Sequence, residues 1–268
     1  MFTGAVSSSD MNSMKKTAAT SPKEGNMKKV CVVLVAVLLA FSSSMAFADT
    51  KVTIGLKTWY NWWTHDVDYV DGTSSSWDNG SSFMVGPSLN IKAGKVFFGG
   101  SYLQSTSNYE APDWFAIGDT MEFEREDLDV TAGVMFTPYI GMFIGYKNID
   151  APMTYKSIAG GTGVDYGTWN LNGPGLGILG NIPLGQSAAF YGNLALLSVD
   201  QEFQYPTGTT ASFDMIGASF ELGTAFAFSE IVSANVGFKY QTFVGDNAVG
   251  DTHSQNFYGL TVGLNFTF

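Results

Sequence analysis

Two histidines and a handful of charged residues are the side chains in this sequence that could carry chemistry. His65 and His253 both fall at the expected outer ends of extended segments, and Asp251-x-His253 sets a carboxylate two residues from an imidazole. A catalytic base must lie within hydrogen-bond reach of its partners. The expected neighbours of His253 at the top of the first strand, Asp66 and Asp68, do not face it across a barrel mouth. Asp66-x-Asp68-x-x-Asp71-Gly72 approaches a calcium loop, but one residue too many separates Asp68 from Asp71, and no glutamate follows where the twelfth ligand belongs. The acidic residues Asp78, Glu110, Asp113, Asp119, Glu122, Glu124 and Glu126 extend this anionic surface. They suit a solvated anionic face, bridged by divalent cations or met by small solutes. We expect no catalytic residue, no metal and no cofactor.

A second set of charges shares segment faces with glycine and small polar residues. Lys57, Arg125, Asp127, Asp129, Lys147, Glu221 and Lys239 alternate with apolar residues and are expected inside a closed wall. Four positive and three negative charges form a nearly balanced interior, which fits ion pairs better than a selective pore. Short turns predict the pairing. If Phe228 pairs with Val232, counting outward sets Glu221 opposite Lys239; if Phe136 pairs with Ile140, Asp129 faces Lys147. A one-residue slip would send each side chain to the other face.

These residues need an all-β scaffold. In the first segment Val52, Ile54, Leu56, Thr58, Tyr60 and Trp62 share one face, with Lys51, Thr53, Gly55, Lys57 and Asn61 on the other. This is strand periodicity. Similar segments follow near Ser82–Lys92, Lys95–Ser105, Glu124–Phe136, Tyr139–Asn148, Asn170–Ile182, Ala188–Asp200, Phe213–Phe228, Val232–Phe243 and Asn256–Phe268. Short turns alternate with longer polar connections at about 65–81, 106–123, 149–169, 201–212 and 244–255. That alternation predicts an up-and-down antiparallel transmembrane β-barrel of about ten strands, with both termini at the short-turn end. Apolar outward faces, such as Ile216, Ala218, Phe220, Leu222 and Phe226, favour a membrane over a soluble barrel. Trp59, Tyr60, Trp62, Trp63, Tyr139, Trp169, Phe243 and Phe257 are expected to form an interfacial girdle.

Composition agrees. Charged residues make up 14% of the 268, against about 25% in ordinary soluble domains. Residues 1–48 read as an N-terminal extension and secretory signal: Lys28 and Lys29 precede an apolar run from Val30 to Phe41, and Ala46 and Ala48 frame the cleavage site. Met27 offers a second start. The run is too short for a bilayer-spanning helix, which needs roughly 20 apolar residues. Residues 49–268 form the barrel. They retain 8 Lys and Arg against 22 Asp and Glu, a net charge of −14, which disfavours nucleic acid. The only cysteine, Cys31, lies in the signal, so the barrel carries no thiol chemistry.

Tyr258-x-Leu260-x-Val262-x-Leu264-x-Phe266-x-Phe268 resembles the terminal strand of Gram-negative outer-membrane β-barrels. The resemblance implies an outer-membrane address, long loops outside, termini in the periplasm, and an ending, Tyr258, Phe266 and Phe268, read by the barrel-assembly machinery. The expected role is a structural barrel or narrow porin-like channel in contact with bilayer and lipopolysaccharide. Asp251-x-His253 also resembles the Asp-His pair of the ten-stranded omptin proteases, and His253-Ser254 distantly resembles the His and Ser of lipid A deacylases. An outer-membrane hydrolase using His253 is therefore the alternative, with a loop-mediated adhesin behind it.

Overall fold

The computed structural model describes residues 50–113, 118–157 and 163–268. The signal segment, with Ala46 and Ala48, lies outside the described residues. Alternating side chains produce twelve β segments: β1 (Thr50–Asp68), β2 (Ser74–Ala93), β3 (Val96–Ser105), β4 (Tyr109–Pro112), β5 (Thr120–Phe123), β6 (Glu126–Met135), β7 (Ile140–Lys156), β8 (Val164–Pro183), β9 (Ala188–Gln204), β10 (Thr210–Ala227), β11 (Val232–Asp246) and β12 (Thr252–Thr267).

Segments β3 and β4 follow one another in one stave, and β5 and β6 in the next, since β3 pairs with β6 and β4 with β5. Ten antiparallel staves result. Each pairs with its sequence neighbour, β7 meets β8, and β1 meets β12 to close the wall. Among the described residues closure leaves no edge strand, so every stave has a partner on both sides. The last residue joins the seam, with Phe268 N donating to Val52 O at 2.8 Å and Val52 N to Phe268 O at 3.0 Å. Glycine permits close approach at the same seam: a Cβ on Gly259 would run into the Tyr60 carbonyl oxygen.

The short turns fall where the sequence sets them. The longer polar connections do not remain loops. β1 runs on to Asp68 and β2 starts at Ser74, and the other outer connections likewise become mostly paired strand. Their outward faces are polar while their inward faces carry large apolar side chains, so the ladder continues beyond the membrane around its own core. Within the membrane the pattern reverses. Ile54, Leu56 and Tyr60 on β1, Leu260, Val262, Leu264 and Phe266 on β12, and Ile140, Met142 and Ile144 on β7 are exposed on the outer wall. On β1 this apolar belt runs from Ile54 to Trp62, matching the roughly 9–11 residues of a tilted membrane-spanning strand.

Candidate functional site

The barrel interior has three tiers, each set by which side chains point inward. At the short-turn end is a chamber of about 600 Å³, lined by glycines, hydroxyls and amides such as Thr53, Ser88, Asn90, Asn193, Asn235 and Asn265. A layer of charges ends the chamber. Above it, Trp59, Trp63, Met84, Leu103, Tyr109, Phe123, Ile149, Trp169, Leu171, Phe243 and Phe257 form a continuous buried core.

This core corrects two expectations. Five of the eight aromatics assigned to an interfacial girdle, Trp59, Trp63, Trp169, Phe243 and Phe257, are buried inside. Trp59 and Trp63 share the parity of Lys57 and Asn61 on β1, and that parity was the available signal. Tyr60 and Tyr139 are exposed. The small polar and charged lining, moreover, gives way in the upper part of the barrel to a mainly apolar core with a few buried amides such as Asn61 and Gln255. Trp63 fills the centre of the upper part, with ring centroids 4.7 Å from Phe123, 5.2 Å from Phe257, 5.4 Å from Trp169 and 5.6 Å from Tyr109. Its indole N–H donates to Gln255 Oε1 at 2.7 Å.

The seven inward charges meet in the layer below. β10 and β11 set Glu221 opposite Lys239, and β6 and β7 set Asp129 opposite Lys147. Lys147 Nζ donates to Asp129 Oδ1 at 3.0 Å and to Asp127 Oδ2 at 3.2 Å. Arg125 forks onto Asp127, Nε to Oδ1 at 2.6 Å and Nη2 to Oδ2 at 2.8 Å. Its guanidinium carbon stands 3.8 Å from the Phe257 ring centroid and 5.2 Å from that of Trp59.

The partners of Glu221 and Lys239 differ from those expected. Glu221 Oε2 accepts from Lys57 Nζ at 2.7 Å, and its Oε1 accepts from Thr261 Oγ1 at 3.1 Å. Lys239 Nζ donates instead to Asp129 Oδ2 at 3.3 Å and lies 4.7 Å from the Trp59 ring centroid. A lysine's long stem carries its ammonium inward, past the carboxylate beside it and on to the opposing wall. Register therefore decides which residues are neighbours, and side-chain reach decides which are bonded.

The histidines come together above the belt. His65 Nε2 and His253 Nδ1 are 3.2 Å apart, and His253 Nε2 is 3.2 Å from Asn247 Nδ2. Burial, followed by the nearby His253, holds His65 down at about 4, against a smaller upward pull from Asp66. Burial also lowers His253, against the upward pull of Asp251. Asp251 hydrogen-bonds elsewhere, its Oδ1 accepting from Val70 N at 3.1 Å and its Oδ2 from Asn247 Nδ2 at 3.1 Å. Asp66 and Ser254 are register partners on adjacent strands, as are Asp68 and Thr252. Asp66 accepts from Ser76 at 2.5 Å, and Asp71 caps its own turn by accepting from Thr73 N at 2.9 Å. Among the described residues no three His, Cys, Asp or Glu side chains gather to hold a metal ion.

The chain is similar in fold to solved outer-membrane proteins. The outer membrane protease OmpT from Escherichia coli matches with a TM-score of 0.56 at 13% identity, over 84% of this chain and 98% of that chain. Neisserial surface protein A matches over 81% and 97% with 13% identity and a TM-score of 0.41. Ail, the attachment invasion locus protein of Yersinia pestis, matches over 82% and 99% with 9% identity and a TM-score of 0.31. No family model and no curated protein matches the chain. At 13% identity the likeness to OmpT is one of architecture, and the architecture is that of the outer-membrane β-barrels.

Proposed function

We propose that this chain is an integral outer-membrane barrel whose lumen is blind, open at the short-turn end and blocked above the charge layer, a structural element of the envelope that does not conduct. The observation that carries the reading is the apolar core from Trp59 to Phe257 lying across the interior above the charge layer. A barrel of roughly eight strands is just filled by its own side chains, and porins with a water-filled channel have roughly 16 to 18. Ten staves stand near the filled end of that range. The charges match this role: bonded to one another, they fill the wall's interior without meeting lipid, where Lys at the midplane costs about 2–4 kcal/mol.

Export follows from residues 1–48, with cleavage after Ala48, and N-terminal sequencing of envelope material should begin at Asp49. The apolar belt supports a bilayer setting with lipopolysaccharide around the outer hairpins, and the alternating strand from Tyr258 to Phe268 supports our reading that the barrel-assembly machinery acts there. The hydrolase reading gains no support from His253, whose ring nitrogens are directed to His65 and Asn247.

Planar-bilayer recording of the refolded protein tests the proposal. The expected trace is the bare-membrane baseline. A steady unit conductance in simple salt would overturn it.

A further inference from the structure

We propose that the chamber below the charge layer is a binding site for a small hydroxylated carboxylate entering from the short-turn end. The inference rests on the reading of the lumen as blind and adds a ligand to it. At about 600 Å³ the chamber lies within the roughly 300–1,000 Å³ of small-molecule sites. Its charged lining consists of Lys57, Lys147, Lys239, Asp129 and Glu221, a net charge of +1. The Arg125–Asp127 pair behind them is fully buried and neutral as a unit. A blind cleft with low-dielectric walls and one net positive charge concentrates anions.

The hydrogen bonds are unequal in the same direction. Both carboxylates at the inner end have both oxygens engaged, Asp129 by Lys147 and Lys239, and Glu221 by Lys57, Thr261 and, at 3.4 Å, Tyr191. Lys57 and Lys239 each make one hydrogen bond among the described residues. An ammonium has three N–H donors, so two remain on each. Every carboxylate oxygen in the layer already holds a donor, while N–H groups on Lys57 and Lys239 are left over, so the complementary ligand supplies acceptors. Access agrees: the side chains of Lys57 and Asp129 are 20% and 29% exposed, while Arg125 beyond them is fully buried. Along the walls, Asn90 and Asn193 present amides, Ser88 and Ser101 hydroxyls, and Phe97 and Phe143 ring surface. That lining suits a polyol chain better than an apolar acid.

Isothermal titration of the refolded barrel in micelles, at constant ionic strength, tests the site with sodium gluconate against sorbitol, its uncharged counterpart. Gluconate should bind saturably at one site per barrel, and sorbitol about tenfold or more weakly, since each factor of ten is about 1.4 kcal/mol. Lys57→Met and Lys239→Met should each weaken gluconate by about the same factor. Asn193→Leu, which leaves every charge in place, should weaken it too and keeps the test decisive if a lysine variant fails to fold. No saturable gluconate binding by the folded wild type, equal binding of sorbitol, or full binding by the folded variants would overturn the proposal. The bilayer recording reads the blind lumen by itself, so a failed titration beside a silent bilayer counts against the ligand site alone.

Discussion

Lys57 Nζ lies 2.7 Å from Glu221 Oε2, although β12 and β11 stand between their strands in the wall. The bond therefore crosses the lumen. It ties β1 to β10 in a way that no ladder hydrogen bond can, and with the Lys239–Asp129 bond it braces the barrel from inside.

Loss of that brace should be measurable. Removing one partner of a buried pair leaves an uncompensated charge and costs about 3–5 kcal/mol, and partial exposure of Lys57 reduces this. We expect Lys57→Met to cost about 2 kcal/mol in urea unfolding followed by tryptophan fluorescence in micelles. The double variant with Glu221→Gln should lose less than the two single losses together, because residues in direct contact are not additive. Strict additivity would mean that the two side chains do not meet.

The core makes a separate prediction. Trp63 is 2% exposed and touches four aromatic rings, so Trp63→Ala should cost about 3–5 kcal/mol and leave Gln255 Oε1 without its donor. The backbone ladder does not depend on that side chain. Strand content by circular dichroism should stay unchanged while the unfolding midpoint falls; an unchanged midpoint would show that the upper barrel is not packed as described.

The histidine pair sets a pH dependence whose sign follows from its burial. His65 is held at about 4 in the folded barrel and titrates near 6.5 when unfolded, so the unfolded chain binds more protons between these values. Stability should then be fully present above about pH 6.5, fall as the pH drops through that window, and level off below about 4. The loss attributable to this residue is about 2–3 kcal/mol. Taking the difference between wild type and His65→Gln removes the titration of carboxylates common to both. A flat difference across the window would refute the assignment.

The β1–β12 seam predicts a folding defect. Gly259 faces inward with the Tyr60 carbonyl against the position a Cβ would occupy. Gly259→Val must push the two strands apart where the barrel closes. Refolding yield, read from the heat-dependent gel shift of closed barrels, should fall severalfold, whereas Gly180→Ala, where an added Cβ meets nothing nearer than the Tyr139 carbonyl oxygen at 3.7 Å, should leave closure intact.

Alternation along each segment determined the wall by itself, because the period of two is a property of the local backbone and names the inward residues wherever a strand forms. Short turns likewise determined which residues stand opposite, Glu221 with Lys239 and Asp129 with Lys147, since antiparallel register counts outward from the turn. Three things were decided only by tertiary structure. Whether Trp59 and Trp63 line a lipid interface or fill the interior depends on how far the strands rise beyond the apolar belt, and polar connections hide that extension in sequence. The meeting of His65 with His253, 188 residues apart, requires β1 to close on β12. The exchange of partners that gives Glu221 to Lys57 and Lys239 to Asp129 depends on distances across the lumen, which the barrel's diameter and side-chain length set together and no local pattern records.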